Sequence, residues 1–339
     1  MPSDRALLVA AGGGIGDTLL AGVVAHALHS RFAHVDALVL PGHRAIAEHD
    51  PSIDRVHVLA SPVPTAEDLR ALGYAAAIVT WATFTTAVVP ALAQIPVRVG
   101  QARRLYSPLF TKRVTVRSER GDHATHWTQI LLDYARAIDC DDPVGRPVFA
   151  VTAADRHAAD AVLAECSIGA AYALLHPTRG LSAQRERWPA AGFIALARAL
   201  RERDRLPLLV TGTAADAPIA DAIARGANAV SIAGATSIGT FAALAERARY
   251  VVAMDSGPMH LAAAAGAPTL GIFALQSDEP DRWAPLGPHT AVVRAIYPCP
   301  PEHRKETCPD FACVRHLDTA AIVAALDGLL APITEREPT

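Results

Sequence analysis

Lysine is nearly missing from this chain: Lys112 and Lys305 are the only two, and arginine carries the remaining positive charge. With a formal net charge of −3 there is no basic excess of the kind that holds polynucleotides, so no nucleic-acid partner is expected. Long apolar runs are absent as well, because Asp255 and His260 interrupt the longest candidate before it reaches membrane-spanning length. The opening MPSDRALLVAAGGGIGD passes at once into a strand and a glycine turn and has no secretory form. The expected location is therefore the cytoplasm, at most peripheral on the inner face of a membrane. There is no CxxC pair: Cys140 and Cys166 are isolated, and Cys299, Cys308 and Cys313 cluster near the end. Those three thiols with His303 or His316 have the ligand types for zinc, but the spacing fits no zinc module, and free thiols without a metal are expected.

What is present is an ordinary globular chain of 339 residues, long enough for two domains with a core each. Short apolar strands alternate with amphipathic helices from Ala6–Ala10 to Val97–Gly100, and again from Tyr172–Leu175 to Thr269–Phe273. That alternation predicts doubly wound parallel sheets, α/β in class. The polar, proline-containing link Asp139–Pro147 sets the expected division: residues 1–150, then 151–317, then a closing helix over 318–331. The segment Gln101–Arg120 breaks the pattern. Arg103, Arg104, Lys112, Arg113, Arg117 and Arg120 crowd it against the single acid Glu119, with Tyr106, Leu109 and Phe110 among them. It reads either as a solvated loop or as a cationic surface for an anionic, phosphorylated or membrane-embedded acceptor.

The second half is organised around YVVAMDSGPMHLAAAAGAPTLGIF, Tyr250 to Phe273. The run predicts a strand, a tight turn, a short helix capped by Ser256 with Pro258 in its first turn, and a further strand. Amides of Ser256, Gly257 and Met259 at a helix N-terminus form a phosphate site. Asp255 ends the strand, where ligands of open α/β sheets sit. A carboxylate repels phosphate, so its partner is a hydroxyl, with His260 a turn away; a diphosphate beside a polyol describes a nucleotide sugar.

Two further turns carry chemistry. In GGGIGDTLL, Gly12 to Leu20, the dinucleotide fingerprint fails because Asp17 stands where its third glycine belongs, and Pro41 and Gly42 occupy the place of a ribose-binding acid. Asp17 reads either as a helix cap or as a general base toward an acceptor hydroxyl, with Gly14 and Gly16 shaping the turn. In HPTRGLSAQRERWP, Thr178 and Ser182 suit phosphate oxygens, and Arg185 and Arg187 suit the charge of a departing diphosphate. The TGTAAD turn, with Gly212, is placed to meet a nucleoside.

GIGDTLLA, DSGPMHLAAAAGAPTLGIF, DRWAPLG (Asp281 to Gly287), HPTRGLSAQRERWPAAGFIALARAL and HATHWTQILL together resemble glycosyltransferase family 9, the heptosyltransferases, over nearly the whole chain. The resemblance implies a GT-B fold, two Rossmann-like domains facing across a cleft, with the final helix packing back on the first. It implies inverting, metal-independent transfer, typically of heptose from ADP-heptose to a lipopolysaccharide core, with the donor as sole cofactor-like ligand. On this resemblance Asp17 matches the base, Asp255 the acid on donor-sugar hydroxyls, Ser256, Gly257, Pro258 and Met259 the diphosphate turn, His260 the neighbouring histidine, and Thr178 the phosphate loop. One position departs: the family commonly has lysine two residues before the loop tryptophan, and here Glu186 stands there, so Arg185 or Arg187 must supply that charge. The alternative within the class is another nucleotide sugar with a capsule, glycolipid, protein or small natural-product acceptor. Outside it stand a non-catalytic sugar-binding protein and a nicotinamide dehydrogenase, the latter disfavoured by Asp17.

Overall fold

A computed structural model describes residues 4–143, 145–178, 188–275, 279–300 and 308–331. The chain divides into two compact units, Met1–Thr152 with Asp281–Trp283, and Ala153–Pro280 with Ala284–Thr339.

The first unit runs β1 (Arg5–Ala10), α1 (Ile15–Leu28), β2 (His34–Val39), α2 (Arg44–Glu48), β3 (Arg55–Val58), α3 (Pro62–Arg70), β4 (Ala76–Val79), α4 (Phe84–Leu92), β5 (Val97–Gln101), β6 (Lys112–Val114) and α5 (Trp127–Arg136). Its sheet has the order β3-β2-β1-β4-β5-β6, and the pairings are parallel. The pleat splits the central strand between two cores. Ala6, Leu8 and Ala10 join the apolar faces of α1 and α5, including Val24 and Leu131. Leu7 and Val9 join Leu69 and Val89 from α3 and α4 on the other side. A strand buried on both faces needs no polar alternation, which is why β1 reads as a continuous apolar run.

The second unit runs α6 (Ala153–Glu165), β7 (Ala173–His176), α7 (Ala190–Asp204), β8 (Leu208–Val210), α8 (Ala217–Ala227), β9 (Val230–Ser231), α9 (Ile238–Arg247), β10 (Val251–Met254), α10 (Gly257–Ala264), β11 (Thr269–Phe273), β12 (Thr290–Arg294), α12 (Ala312–Arg315) and α13 (Thr319–Leu330), while α11 (Pro280–Trp283) has all but its first residue in the first unit. Its sheet order is β12-β11-β10-β7-β8-β9. Counted from its own first strand, this is the same 3-2-1-4-5-6 winding as the first unit. Each sheet therefore has one point where the winding reverses, between β1 and β4 and between β7 and β10, and a crevice opens there at the carboxyl ends of the strands.

The closing helix α13 packs on α7, β11 and β12. Ile322 and Leu326 are buried in the second unit's core, and Arg203 of α7 bonds Asp327 at 2.7 Å. Asp281–Trp283, within the DRWAPLG motif, group with the first unit. Trp283 stacks on Trp127 with centroids 5.0 Å apart, and Arg282 donates to the carbonyl of Asp122. Among the described residues no helix is long and apolar enough to cross a membrane.

Candidate functional site

In the first unit the reversal point is occupied by Asp17. The glycine turn brings it there for steric reasons. A Cβ at Gly12 would lie 2.0 Å from Cδ1 of Trp81, and Gly13 has φ +69 with the Asp17 carboxylate directly over it. Both positions therefore require glycine. Asp17 sits in the first turn of α1, and its Oδ2 accepts the amide of Gly14 at 2.8 Å, closing the helix start. A small recess is lined by Ala10, Gly12, Asp17, Thr80, Trp81, Trp127 and Leu131, so the ends of β1 and β4 and the start of α5 converge on the carboxylate. Burial pushes the Asp17 carboxyl above the ordinary carboxylate range, against the pull of the Gly14 amide and of His43. A half-buried carboxylate of raised basicity has the properties of a general base.

Gly14 spends its backbone groups inside the turn: its N–H goes to Asp17 and its carbonyl accepts Thr18 N–H at 3.3 Å. Gly16 lies within the first turn of α1. Gly14 thus shapes the turn rather than offering a free donor. The cationic segment after β5 is less uniform than its composition suggests. Arg104 pairs with Glu119 at 2.9 Å, and Arg117 grips Asp133 at 2.6 and 2.7 Å. Arg98 bonds the carbonyls of Leu109 and Ile95 at 2.8 and 2.5 Å. Arg103 and Arg120 remain exposed. Sequence reasoning misses Trp81, Trp127 and His43; a lone histidine in PGHR carries no spacing signal.

In the second unit three neighbouring strands, β10, β7 and β8, end together: Ala253 is level with His176, and Leu175 with Val210. Their next residues bring Asp255 and Ser256, His176 and Thr178, and Thr211 and Gly212 to one edge. His176 is buried, its Nδ1 2.9 Å from the Thr211 hydroxyl and its Nε2 3.3 Å from that of Thr178. Burial pushes it down to about 4, with Asp216 opposing, so the ring is neutral at pH 7. Thr178, expected at phosphate, is itself buried. Gly212 is crowded, because a Cβ there would approach that of Asp216 to 2.8 Å. Asp216 accepts the Thr213 amide and hydroxyl at 2.9 and 2.7 Å, capping the turn into α8.

The Asp255 turn differs in detail from the expectation. Ser256 occupies the N-cap position of α10 but makes no side-chain cap; its hydroxyl donates back to Met254 carbonyl at 2.8 Å. Met259 is not an exposed donor: its amide bonds Ser256 carbonyl at 3.1 Å and its side chain is fully buried. His260 is buried too. Asp255, Ser256, Gly257 and Pro258 are half-buried, and they form the accessible part of the turn. Asp255 is held there by its own amide, which donates to Ile272 carbonyl at 3.0 Å. Arg185, Arg187, Ser182 and Glu186 lie outside the described residues. None of the five cysteines is in a disulfide, and among the described residues no group of three or more His, Cys, Asp or Glu is arranged to hold a metal.

Comparison with known proteins agrees with this architecture. Lipopolysaccharide heptosyltransferase 1 of Pseudomonas aeruginosa is 31% identical over 189 residues, which cover 56% of this chain and 49% of that protein. The match thus spans about half the length of that relative. The solved glycosyl transferase family 9 structure from Veillonella parvula superposes with a TM-score of 0.80 at 16% identity, covering 96% of this chain and 97% of that one. E. coli ADP-heptose lipopolysaccharide heptosyltransferase II gives a TM-score of 0.77 at 19% identity, over 96% and 98% of the two chains. These likenesses show the shared fold, GT-B. Residues 64–310 match the family model of glycosyltransferase family 9 (heptosyltransferase), and the chain belongs to that family.

Proposed function

We propose that the protein is an inverting glycosyltransferase that moves a heptose from ADP-heptose onto a hydroxyl of a lipopolysaccharide core or related glycan, using no metal ion and no cofactor beyond the donor. The observation that carries this reading is Asp17, a half-buried carboxylate of raised basicity at the reversal point of the first sheet, in a chain of this family. Asp17 takes the proton of the acceptor hydroxyl; its oxygen attacks the anomeric carbon from the face opposite the diphosphate; the carbon–oxygen bond to the diphosphate breaks, and the diphosphate leaves with the electron pair. Asp255 orients the donor sugar through its hydroxyls. The α10 N-terminus at Ser256, Gly257 and Pro258 receives the diphosphate, since first-turn amides and the helix dipole favour an anion. Thr178, Gly212, Met259 and His260 support this edge from within, and Arg185 and Arg187 are assigned to the leaving charge.

The structural likeness to an E. coli ADP-heptose heptosyltransferase supports an adenine nucleotide here. Glu186 at the family's usual lysine position favours a second reading, another nucleotide sugar with a different glycan, glycolipid, protein or small-molecule acceptor. Peripheral contact with the inner face of a membrane is supported by exposed apolar side chains after β3, β4 and β5: Val63 at 56%, Phe84 at 67% and Leu105 at 102% exposure, with Arg103 beside Leu105. A thermal-shift screen against ADP-, GDP-, UDP- and dTDP-sugars tests the donor. At a hundred times Kd a bound ligand stabilises by about 2.7 kcal/mol. Selective stabilisation by ADP-heptose supports the first reading, by another sugar nucleotide the second, and by none of them overturns both.

A further inference from the structure

His43 lies in the PGHR turn that follows β2, and its ring is buried. Its amide closes the turn onto Leu40 carbonyl at 2.9 Å. Its Nδ1 is 2.8 Å from the hydroxyl of Thr18, the residue after Asp17. That hydroxyl lies 3.3 Å from the carbonyl of Ala10, the last residue of β1. A threonine hydroxyl has one proton. Given to Ala10, it leaves Thr18 Oγ1 to accept Nδ1–H from His43, which makes Nε2 the basic nitrogen of the ring. The chain His43–Thr18–Ala10 ties together the turn after β2, the first turn of α1 and the end of β1. It supports the Asp17 turn from the buried side, opposite its Gly14 contact.

The electrostatics of the two groups are reciprocal. Among the described residues, His43 is the charged group that bears on Asp17, and Asp17 the one that bears on His43. Other titratable groups on the adjoining elements have partners of their own: Asp133 of α5 is bound by Arg117 at 2.6 Å, and Asp50, against α1 at Gly22, accepts the Ser52 amide at 2.8 Å. Arg44 is bound to Glu48 at 2.6 Å, and His49 to Ala45 carbonyl at 2.6 Å. At the far end of α1, His26 faces Asp142 at 3.1 Å and His29 bonds Ser52 carbonyl at 2.9 Å. Arg5, at the opposite end of β1, bonds Asp36 at 3.2 Å.

We propose that His43 is a positioning residue for Asp17: through Thr18 it fixes the turn that carries the carboxylate, and when protonated it supplies the counter-charge that keeps that carboxylate ionised. The inference rests on Asp17 being the base. Burial holds His43 below its ordinary range, so near neutral pH the ring is uncharged and Asp17 keeps its full basicity. As the medium turns acidic, His43 takes up a proton, and its charge opposes protonation of Asp17, extending the ionised state of the base to lower pH.

The test is a pH titration by NMR of the full-length protein, carboxyl-13C-labelled at aspartate and 15N-labelled at histidine. Wild type, His43→Gln and Asp17→Asn are compared, with ADP-heptose turnover followed in parallel. Glutamine can still bond Thr18 but cannot titrate, so a purely structural role leaves the Asp17 midpoint in place. The expected result is a shift of the Asp17 midpoint to higher pH in His43→Gln, an equal shift of the acid limb of kcat/KM, an unchanged Tm, and a lower His43 midpoint in Asp17→Asn. An unmoved Asp17 midpoint overturns the proposal. If His43→Gln does not fold, the Asp17→Asn arm decides, and an unmoved His43 midpoint there overturns it. Full transfer by Asp17→Asn removes the base assignment itself; an inactive Asp17→Asn beside an unmoved titration leaves the base standing and removes only His43.

Discussion

The Asp17 carboxylate and the Gly14 amide are bonded at 2.8 Å, so the proposed base and the start of its own helix are one structural unit. Asn at position 17 can still accept the Gly14 amide but cannot take a proton. Asp17→Asn is therefore expected to keep its Tm and its donor binding while transfer falls by about 10²- to 10⁴-fold. Comparing kcat with the thermal shift produced by ADP-heptose checks this, and near-normal kcat would remove Asp17 from the mechanism.

Gly12 lies under the Trp81 indole, where a methyl group would meet Cδ1 at 2.0 Å. Gly12→Ala must displace the ring, at a cost of about 1–3 kcal/mol in overpacking. A urea titration followed by tryptophan fluorescence should show an earlier midpoint and an altered native signal. An unchanged midpoint would mean that Trp81 moves freely.

Asp255 is assigned to hydroxyls of the donor sugar. Hydrogen bonds to a charged group contribute about 1.5–3 kcal/mol, so Asp255→Asn should weaken donor binding by about tenfold to a hundredfold with little effect on binding of ADP alone. Calorimetric titrations with ADP-heptose and with ADP separate the two. Equal losses for both ligands would place Asp255 at the nucleotide instead.

His176 is held at about 4 in the fold against 6.5 for a free histidine. Between those values the unfolded chain binds the proton more readily, so stability contributed by the neutral ring falls as pH drops from about 6.5 to 4, by up to about 3 kcal/mol. Asp50 acts in the opposite sense: its folded carboxyl is raised from 3.8 to about 6, and its contribution grows as pH falls through that window. The histidine effect is therefore read as the difference between wild type and His176→Gln in urea midpoints at pH 7 and pH 5. The variant should lose less stability on acidification, and parallel behaviour would refute the assignment.

The exposed rim of the first unit should bind anionic lipid. In co-sedimentation with phosphatidylglycerol vesicles, Phe84→Glu combined with Leu105→Glu is expected to release most of the bound protein, because both side chains are well exposed and an inserted carboxylate is repelled. Retained binding by the double variant would exclude these residues as the contact.

The buried parts of the architecture were legible because burial constrains composition. β1, β4, β10 and β11 have every residue from the second position onward buried, and each reads as a short apolar run between turn signals. Two edge strands, β6 and β12, were not legible for the same reason. Lys112–Val114 is exposed at Lys112 and Arg113, and Thr290–Arg294 alternates between half-buried and exposed positions; neither needs an apolar pattern. Asp17 could be found because it stands where a dinucleotide fingerprint has its third glycine, and Asp255 because it is an acid at a strand end. His43 and Trp81 could not, since they meet Asp17 and Gly12 only through parallel strand pairing between distant parts of the chain. Ser256 shows a further limit: the residue type marked the helix start correctly, but its hydroxyl chose the Met254 carbonyl over the cap.

Both sheets share one winding, and this gives equivalent addresses different occupants. The turn after the first strand holds an acid in the first unit, Asp17, and a buried threonine in the second, Thr178. After the fourth strand the occupants reverse in kind, with Trp81 in the first unit and Asp255 in the second. On the roles proposed above, donor preference is expected to follow the Asp255 turn, while the Asp17 turn belongs to the other unit. A chimera exchanging only the turn after β10 would therefore separate the proposed donor side from the proposed base.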